Sequence, residues 1–119
     1  MYTSSAEITS LIRLTTEELS GLCRAFEQVL APFGDVHVLL FGSRVNLSQR
    51  GGDIDLLVIC EQAPETPTTK LTRMLIMSIE DNIGEQKIDL VWDTPTVDSE
   101  FIRLAKKQGV LIWQSGINI

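Results

Sequence analysis

The sequence predicts a mixed α/β fold, a small sheet of three to four strands with helices packed on it. Three observations lead there. Short apolar, β-rich runs alternate with stretches whose apolar residues recur at helical spacing. Glycines and prolines fall at the boundaries between them. With 119 residues, of which 44% are hydrophobic and 22% charged, the chain has the size and composition of one domain, residues 1–119, able to bury a core.

The elements follow in order. Residues 1–14 give a weak signal, read as a short helix or an arm. Thr15-Thr16-Glu17-Glu18 has the form of a capping box, with Thr15 as N-cap and Glu18 at N3. Leu19, Leu22, Cys23, Phe26, Val29, Leu30 and Phe33 then follow at helical spacing, and Pro32 and Gly34 stop the helix. Val36 to Phe41 is a short apolar strand closed by Gly42. Ser43 to about Gln49 is read as a helical turn with its first N–H groups free to meet a ligand, and Arg50-Gly51-Gly52 as a loop. Ile54 to Cys60 is almost continuously apolar, which marks a central strand. Glu61 to Thr69 is loop by its prolines and threonines. Lys70 to about Ile83 is a helix stopped by Gly84, with Leu71, Met74, Leu75 and Ile79 on one face. Lys87 to Trp92 is a third strand, Asp93 to Thr96 a turn, Val97 to Gln108 a helix ended by Gly109, and Val110 to Trp113 a last strand. The tail from residue 114 is expected to be flexible.

The formal charge of -6 disfavours tight binding to a nucleic-acid backbone. It does not disfavour a nucleotide, because a bound metal inverts the local sign. Cys23 and Cys60 lack metal-ligand spacing, and both are read as reduced thiols of a cytoplasmic protein. The first residues have no basic, apolar leader pattern, and no run reaches the length of a membrane span.

The chemistry concentrates between Phe41 and Val58. Gly42-Ser43 ends one apolar run, and after a nine-residue gap Asp53-Ile54-Asp55 opens the next. Side chains alternate along a strand, so Asp53 and Asp55 share a face. Two carboxylates side by side repel, and a divalent cation between them relieves that repulsion. Asp89 interrupts the apolar run Ile88-Asp89-Leu90-Val91. If its strand lies beside Ile54–Cys60, Asp89 joins the other two as a metal ligand and as the group that orients or deprotonates an acceptor hydroxyl. Gly42 allows close approach of a phosphate, and Ser43 offers an N–H and a hydroxyl to it. Arg44, tied to that turn, is the favoured counter-charge for a triphosphate; Arg50, Lys70 and Arg73 are further cations of the same region. Asp-x-Asp or Gly-Ser alone is a common surface feature, and the conjunction carries the weight. His37 reads as a surface or packed residue, and Trp92 and Trp113 as fillers of the core edges, rather than as site residues.

Gly42-Ser43-Arg44, Asp53-Ile54-Asp55-Leu56-Leu57-Val58, Lys87-Ile88-Asp89-Leu90-Val91 and Gly109-Val110-Leu111-Ile112-Trp113 resemble the wording of the polymerase-beta-like nucleotidyltransferase superfamily, in its minimal nucleotidyltransferase branch. The similarity runs from about Val36 to Trp113. The intervening segment from Val45 to Gly52 departs from the branch's usual Arg/Gly/Ala-rich wording. The resemblance implies a polymerase-beta-like fold and transfer of a nucleotide from ATP to a hydroxyl, dependent on one or two Mg²⁺ ions. It implies that Gly42 and Ser43 hold phosphates, that Asp53 and Asp55 bind metal, and that Asp89 completes the site. It further implies an antitoxin whose partner is a HEPN-type ribonuclease, adenylylated on a tyrosine. Two alternatives stay open: a small-molecule transferase of the aminoglycoside type, and an antitoxin that masks its partner without catalysis.

Overall fold

A computed structural model describes residues 11–49 and 52–115. Helix α1 (Thr16–Val29) starts at the expected capping box. The Thr15 hydroxyl accepts the Glu18 N–H at 3.0 Å, and Glu18 Oε1 accepts the Thr15 N–H at 2.9 Å, so two otherwise orphaned donors are satisfied reciprocally. A short 3₁₀ turn (Ala31–Phe33) leads into β1 (Val36–Phe41), and a second 3₁₀ turn (Gly42–Val45) leaves it. Then come β2 (Ile54–Cys60), α2 (Thr68–Ile83), β3 (Ile88–Asp93), α3 (Glu100–Gln108) and β4 (Val110–Gln114).

The four strands form one mixed sheet in the order β3-β2-β1-β4. The hairpin partners β1 and β2 are antiparallel, as are β1 and β4, whereas β2 and β3 run parallel across the α2 crossover. The expected central strand is indeed internal.

Alternation along the strands divides the sheet into two faces. Val36, Val38, Leu40, Ile54, Leu56, Val58 and Ile88 point to one face, where Leu19, Leu22, Phe26 and Val29 of α1 and Leu75 and Ile79 of α2 cover them. Leu22, Phe26, Leu56, Val58, Leu75 and Ile79 are fully buried. Trp113 packs on Phe26 with ring centroids 5.9 Å apart and donates to Glu27 at 3.2 Å, while Trp92 donates to Thr72 at 2.8 Å. Both indoles thus belong to this sealed side. On the other face a smaller cluster of Phe41, Leu57, Ile102 and Ala105 lies under α3 alone.

Several boundaries differ from the sequence expectation. The helix expected from Val97 begins at Glu100, because Ser99 caps it by accepting the Ile102 N–H. The helical turn expected over residues 43–49 is only four residues of 3₁₀. Asp93 is not in a turn but closes β3, buried and paired with Lys106 Nζ of α3 at 2.6 Å. Residues 11–14 are no loose arm, since Ile12 and Leu14 join the main core; residues 1–10 of that expected segment lie outside the described residues. The tail is fixed as far as Ser115, whose N–H donates to the Val36 carbonyl at 2.9 Å and whose hydroxyl accepts the Val36 N–H at 2.9 Å. Both cysteines are free, and burial pushes the Cys23 thiol up to about 11.

Candidate active site

The parallel register decides what the carboxylates can do. Ile54 stands opposite Ile88, so Asp55 stands opposite Asp89, one residue from the start of each strand. The two carboxyls come within hydrogen-bonding reach of each other. Burial pushes Asp55 up to about 6, and the neighbouring charges of Asp89 and Asp53 add to that rise. Asp53 precedes the strand, and its Oδ2 lies 3.5 Å from Lys87 Nζ. The expected acidic group is therefore assembled as an Asp55–Asp89 pair, with Asp53 beside it and drawn to a lysine. Among the described residues no three His, Cys, Asp or Glu side chains stand together as a ready-made metal cage.

On the other side of Asp55, its register partner in β1 is Phe41, and the chain turns immediately after it. Gly42 has φ +73°, a region L-residues avoid, and a Cβ there would collide with the Asp55 carboxylate. Gly52, at φ +92°, sits against the Ser43 hydroxyl in the same manner. These two glycines let the turn after β1 and the lead-in to β2 interlock, which brings the Gly-Ser bend against the carboxylates. A four-residue 3₁₀ turn has almost no macrodipole. Any anion held here is held by individual N–H groups and the Ser43 hydroxyl, not by a helix terminus as the sequence suggested.

Arg44 takes a different place from the one expected. Its guanidinium donates to the Arg13 carbonyl at 2.8 Å and the Gly52 carbonyl at 3.3 Å, and lies 4.0 Å from Glu18. It ties the loop together rather than facing the carboxylates. Arg13 reciprocates: its N–H donates to the Arg44 carbonyl at 2.7 Å, and its side chain to the carbonyls of Ser43 at 2.9 Å and Asn46 at 3.1 Å. Glu18 completes the arrangement by also accepting from Gln86 at 2.8 Å. Burial alone would raise this carboxyl, but the Thr15 N–H, the Gln86 amide and the Arg44 guanidinium hold it below the usual carboxylate value.

Lys70 and Arg73 are exposed in the first turns of α2, which packs on the sealed face and starts beyond the far end of β2. They stand away from the carboxylates and are not counter-charges for the site as expected, and Arg50 lies outside the described residues. His37 lies at the opposite end of β1 from Gly42. Among the described residues, the cation that meets the acidic group is Lys87.

The family model described as polymerase beta, nucleotidyltransferase matches residues 29–117, which contain every one of these strand and turn motifs. The chain belongs to the polymerase beta nucleotidyltransferase family. Its four-stranded mixed sheet with flanking helices is consistent with that family's fold. A search of curated proteins finds no match. Among the described residues of this nucleotidyltransferase domain, no helix is long and apolar enough to cross a membrane.

Proposed function

We propose that the chain transfers AMP from ATP to a hydroxyl, with a tyrosine of a HEPN-type ribonuclease as the acceptor. The observation that supports this best is the pairing of Asp55 with Asp89 directly beside the Gly42–Ser43 bend. Two abutting carboxylates are a liability in a fold without a function for them. The donor set is all oxygen and fits Mg²⁺, which takes one or two protein carboxylates and fills its remaining positions with water and phosphate oxygens. Asp55 and Asp89 would hold it, with Asp53 joining when its carboxylate leaves Lys87. A bound Mg²⁺ supplies charge neutralisation of the triphosphate and of the departing pyrophosphate.

The chain's own groups do the rest. The Gly42 and Ser43 N–H groups and the Ser43 hydroxyl donate to the terminal phosphates and fix their direction. Asp89, exposed on β3, accepts the proton of the acceptor hydroxyl as its oxygen forms a bond to the α-phosphorus. The bond from that phosphorus to the pyrophosphate breaks, and pyrophosphate leaves with the electron pair. Lys87 is placed to offset the charge of Asp53 until a nucleotide arrives.

The test mixes the chain, the candidate ribonuclease, ATP and Mg²⁺, and reads the partner's intact mass. The expected result is a gain of one or more AMP units that disappears with Asp53→Asn combined with Asp55→Asn. Undiminished transfer by that double variant refutes the reading. Protection of cells by the same variant would assign the antitoxin role to masking instead.

A further inference from the structure

The two outer strands of the sheet, β3 and β4, are finished differently. At β4 the edge is closed. Its register with β1 slips between Val38 and Leu39, and a bulge of this kind spoils an edge for further pairing. Ile112 and Trp113 are buried, the Ile112 carbonyl accepts the Cys23 thiol at 3.4 Å, and the Trp113 indole donates to Glu27. Helix α1 thus holds this side. Strand β3 is regular from Ile88 to Asp93, with neither bulge nor proline. Its strand partner among the described residues is β2 alone.

The register shows which backbone groups of β3 are left over. Ile54 stands opposite Ile88, and its N–H donates to the Lys87 carbonyl at 3.0 Å. In a parallel ladder a residue bonds the two neighbours of the residue opposite it, so Lys87, Asp89, Val91 and Asp93 face β2. Ile88, Leu90 and Trp92 turn their N–H and C=O groups outward. The side chains agree. Leu90, Val91 and Trp92 are half-buried, whereas their register partners Leu56, Leu57 and Val58 in β2 are fully buried. Outward amides flanked on both faces by half-covered apolar side chains match an extended polypeptide backbone. A nucleotide has no such alternation of donors and acceptors.

Charge narrows the occupant further. From Glu85 to Glu100 the exposed charged side chains are Glu85, Lys87, Asp89, Asp98 and Glu100. Asp53 takes up the one lysine, and Arg103 offsets part of the Asp98 and Glu100 charge. We infer that the outer edge of β3 is a docking site for an extended, basic segment of the acceptor protein, which joins the four-stranded sheet as a further strand. Such a strand runs about 4.8 Å from β3 and puts every second side chain on the Asp89 face. An acceptor hydroxyl is thereby delivered on the side of the carboxylate that takes its proton. The acceptor role of the segment rests on the nucleotidyl-transfer reading above; the strand pairing does not.

The experiment follows binding and amide exchange in the full chain without ATP or metal. The probe is a short peptide that alternates lysine and valine about a central tyrosine. In the free chain the Leu90 and Trp92 amides should take up deuterium fast and the Val91 amide slowly. Saturating peptide should slow Leu90 and Trp92 by at least about tenfold. The same peptide with glutamate in place of lysine should bind at least about tenfold more weakly. Its N-methylated form, which lacks the donors, should not bind. Leu90→Pro removes an outward N–H and no ladder bond, so this chain should fold and lose the peptide. Binding that survives N-methylation overturns the docking site, as do Leu90 and Trp92 amides that exchange equally fast with and without peptide. Slow exchange of those amides in a free chain that light scattering shows to be dimeric gives the edge to a second copy, and also overturns it. If the peptide fails to bind at about millimolar concentration while the partner still gains AMP, the docking site falls and the transfer reading stands. If the peptide binds as expected and no partner gains AMP, the edge stands as a peptide site and the transfer reading falls.

Discussion

The two faces of the sheet differ by a single residue of offset and by everything that offset implies. Leu56 and Asp55 are neighbours in β2, yet Leu56 is fully buried under two helices while Asp55 looks past one short helix into solvent beside a second carboxylate. The same holds for Ile88 and Asp89 in β3. The sealed face gains its stability from apolar burial. The other face gives up some of that gain to hold like charges together, which is the pattern expected where a fold retains strain for a purpose. Substitutions on the two faces should therefore separate stability from activity, in opposite directions.

The sharpest way to break that contrast is Asp55→Asn. Transfer should fall by at least roughly 10²–10³, the scale for loss of one electrostatic group in an active site. The metal-free chain should melt no lower than wild type, because a repulsive charge is removed. A marked fall in melting temperature would mean that Asp55 serves the fold. Next comes the opposite face. Leu75→Ala should cost ~2–5 kcal/mol in denaturant unfolding, with transfer per folded molecule retained.

A smaller and mixed effect is expected from Arg13→Ala, which leaves the carbonyls of Ser43 and Asn46 without that donor. Stability should drop by ~1–3 kcal/mol, and tripolyphosphate binding should weaken in a calorimetric titration as the Gly-Ser bend loosens. Arg13→Lys should not restore both contacts, since a lysine lacks the forked geometry. Wild-type tripolyphosphate affinity in Arg13→Ala would separate the clamp from the bend.

The smallest effect concerns pH. Asp55 is raised from 3.8 to about 6, so its contribution to stability is fully present below pH 3.8 and is lost as pH rises through about 6. Without divalent metal, Asp55→Asn should therefore gain on wild type between pH 4 and pH 7. The gain should be below ~1 kcal/mol, because solvent still screens a carboxylate that is only partly buried. Equal pH profiles for the two chains would show that neither burial nor the neighbouring carboxylates raise Asp55 in the folded chain.

Much of this was legible in the residues. Ile54-Asp55-Leu56 and Ile88-Asp89-Leu90 repeat the same triplet, and the observed register lays one on the other. Aligning them also sets Lys87 across from Asp53, a pair the sequence reading passed over. The capping box at Thr15 and Glu18 was readable because both partners are local. The Arg13–Arg44 clamp was not, because its contacts span about thirty residues and no periodicity encodes them. The same long-range packing explains Asp93. A carboxylate next to Thr94-Pro95 reads as turn, until Lys106 of α3 arrives to neutralise it.

Glu18 has a consequence for how the molecule comes apart. One side chain closes the first turn of α1, steadies Arg44 on the Gly-Ser loop and receives Gln86 just ahead of β3. Fraying of that turn releases three distant segments together, as one cooperative opening unit. Deuterium uptake at the amides of Glu18, Arg13 and Asn46 should then advance at a common rate, slower than that of an ordinary helix end.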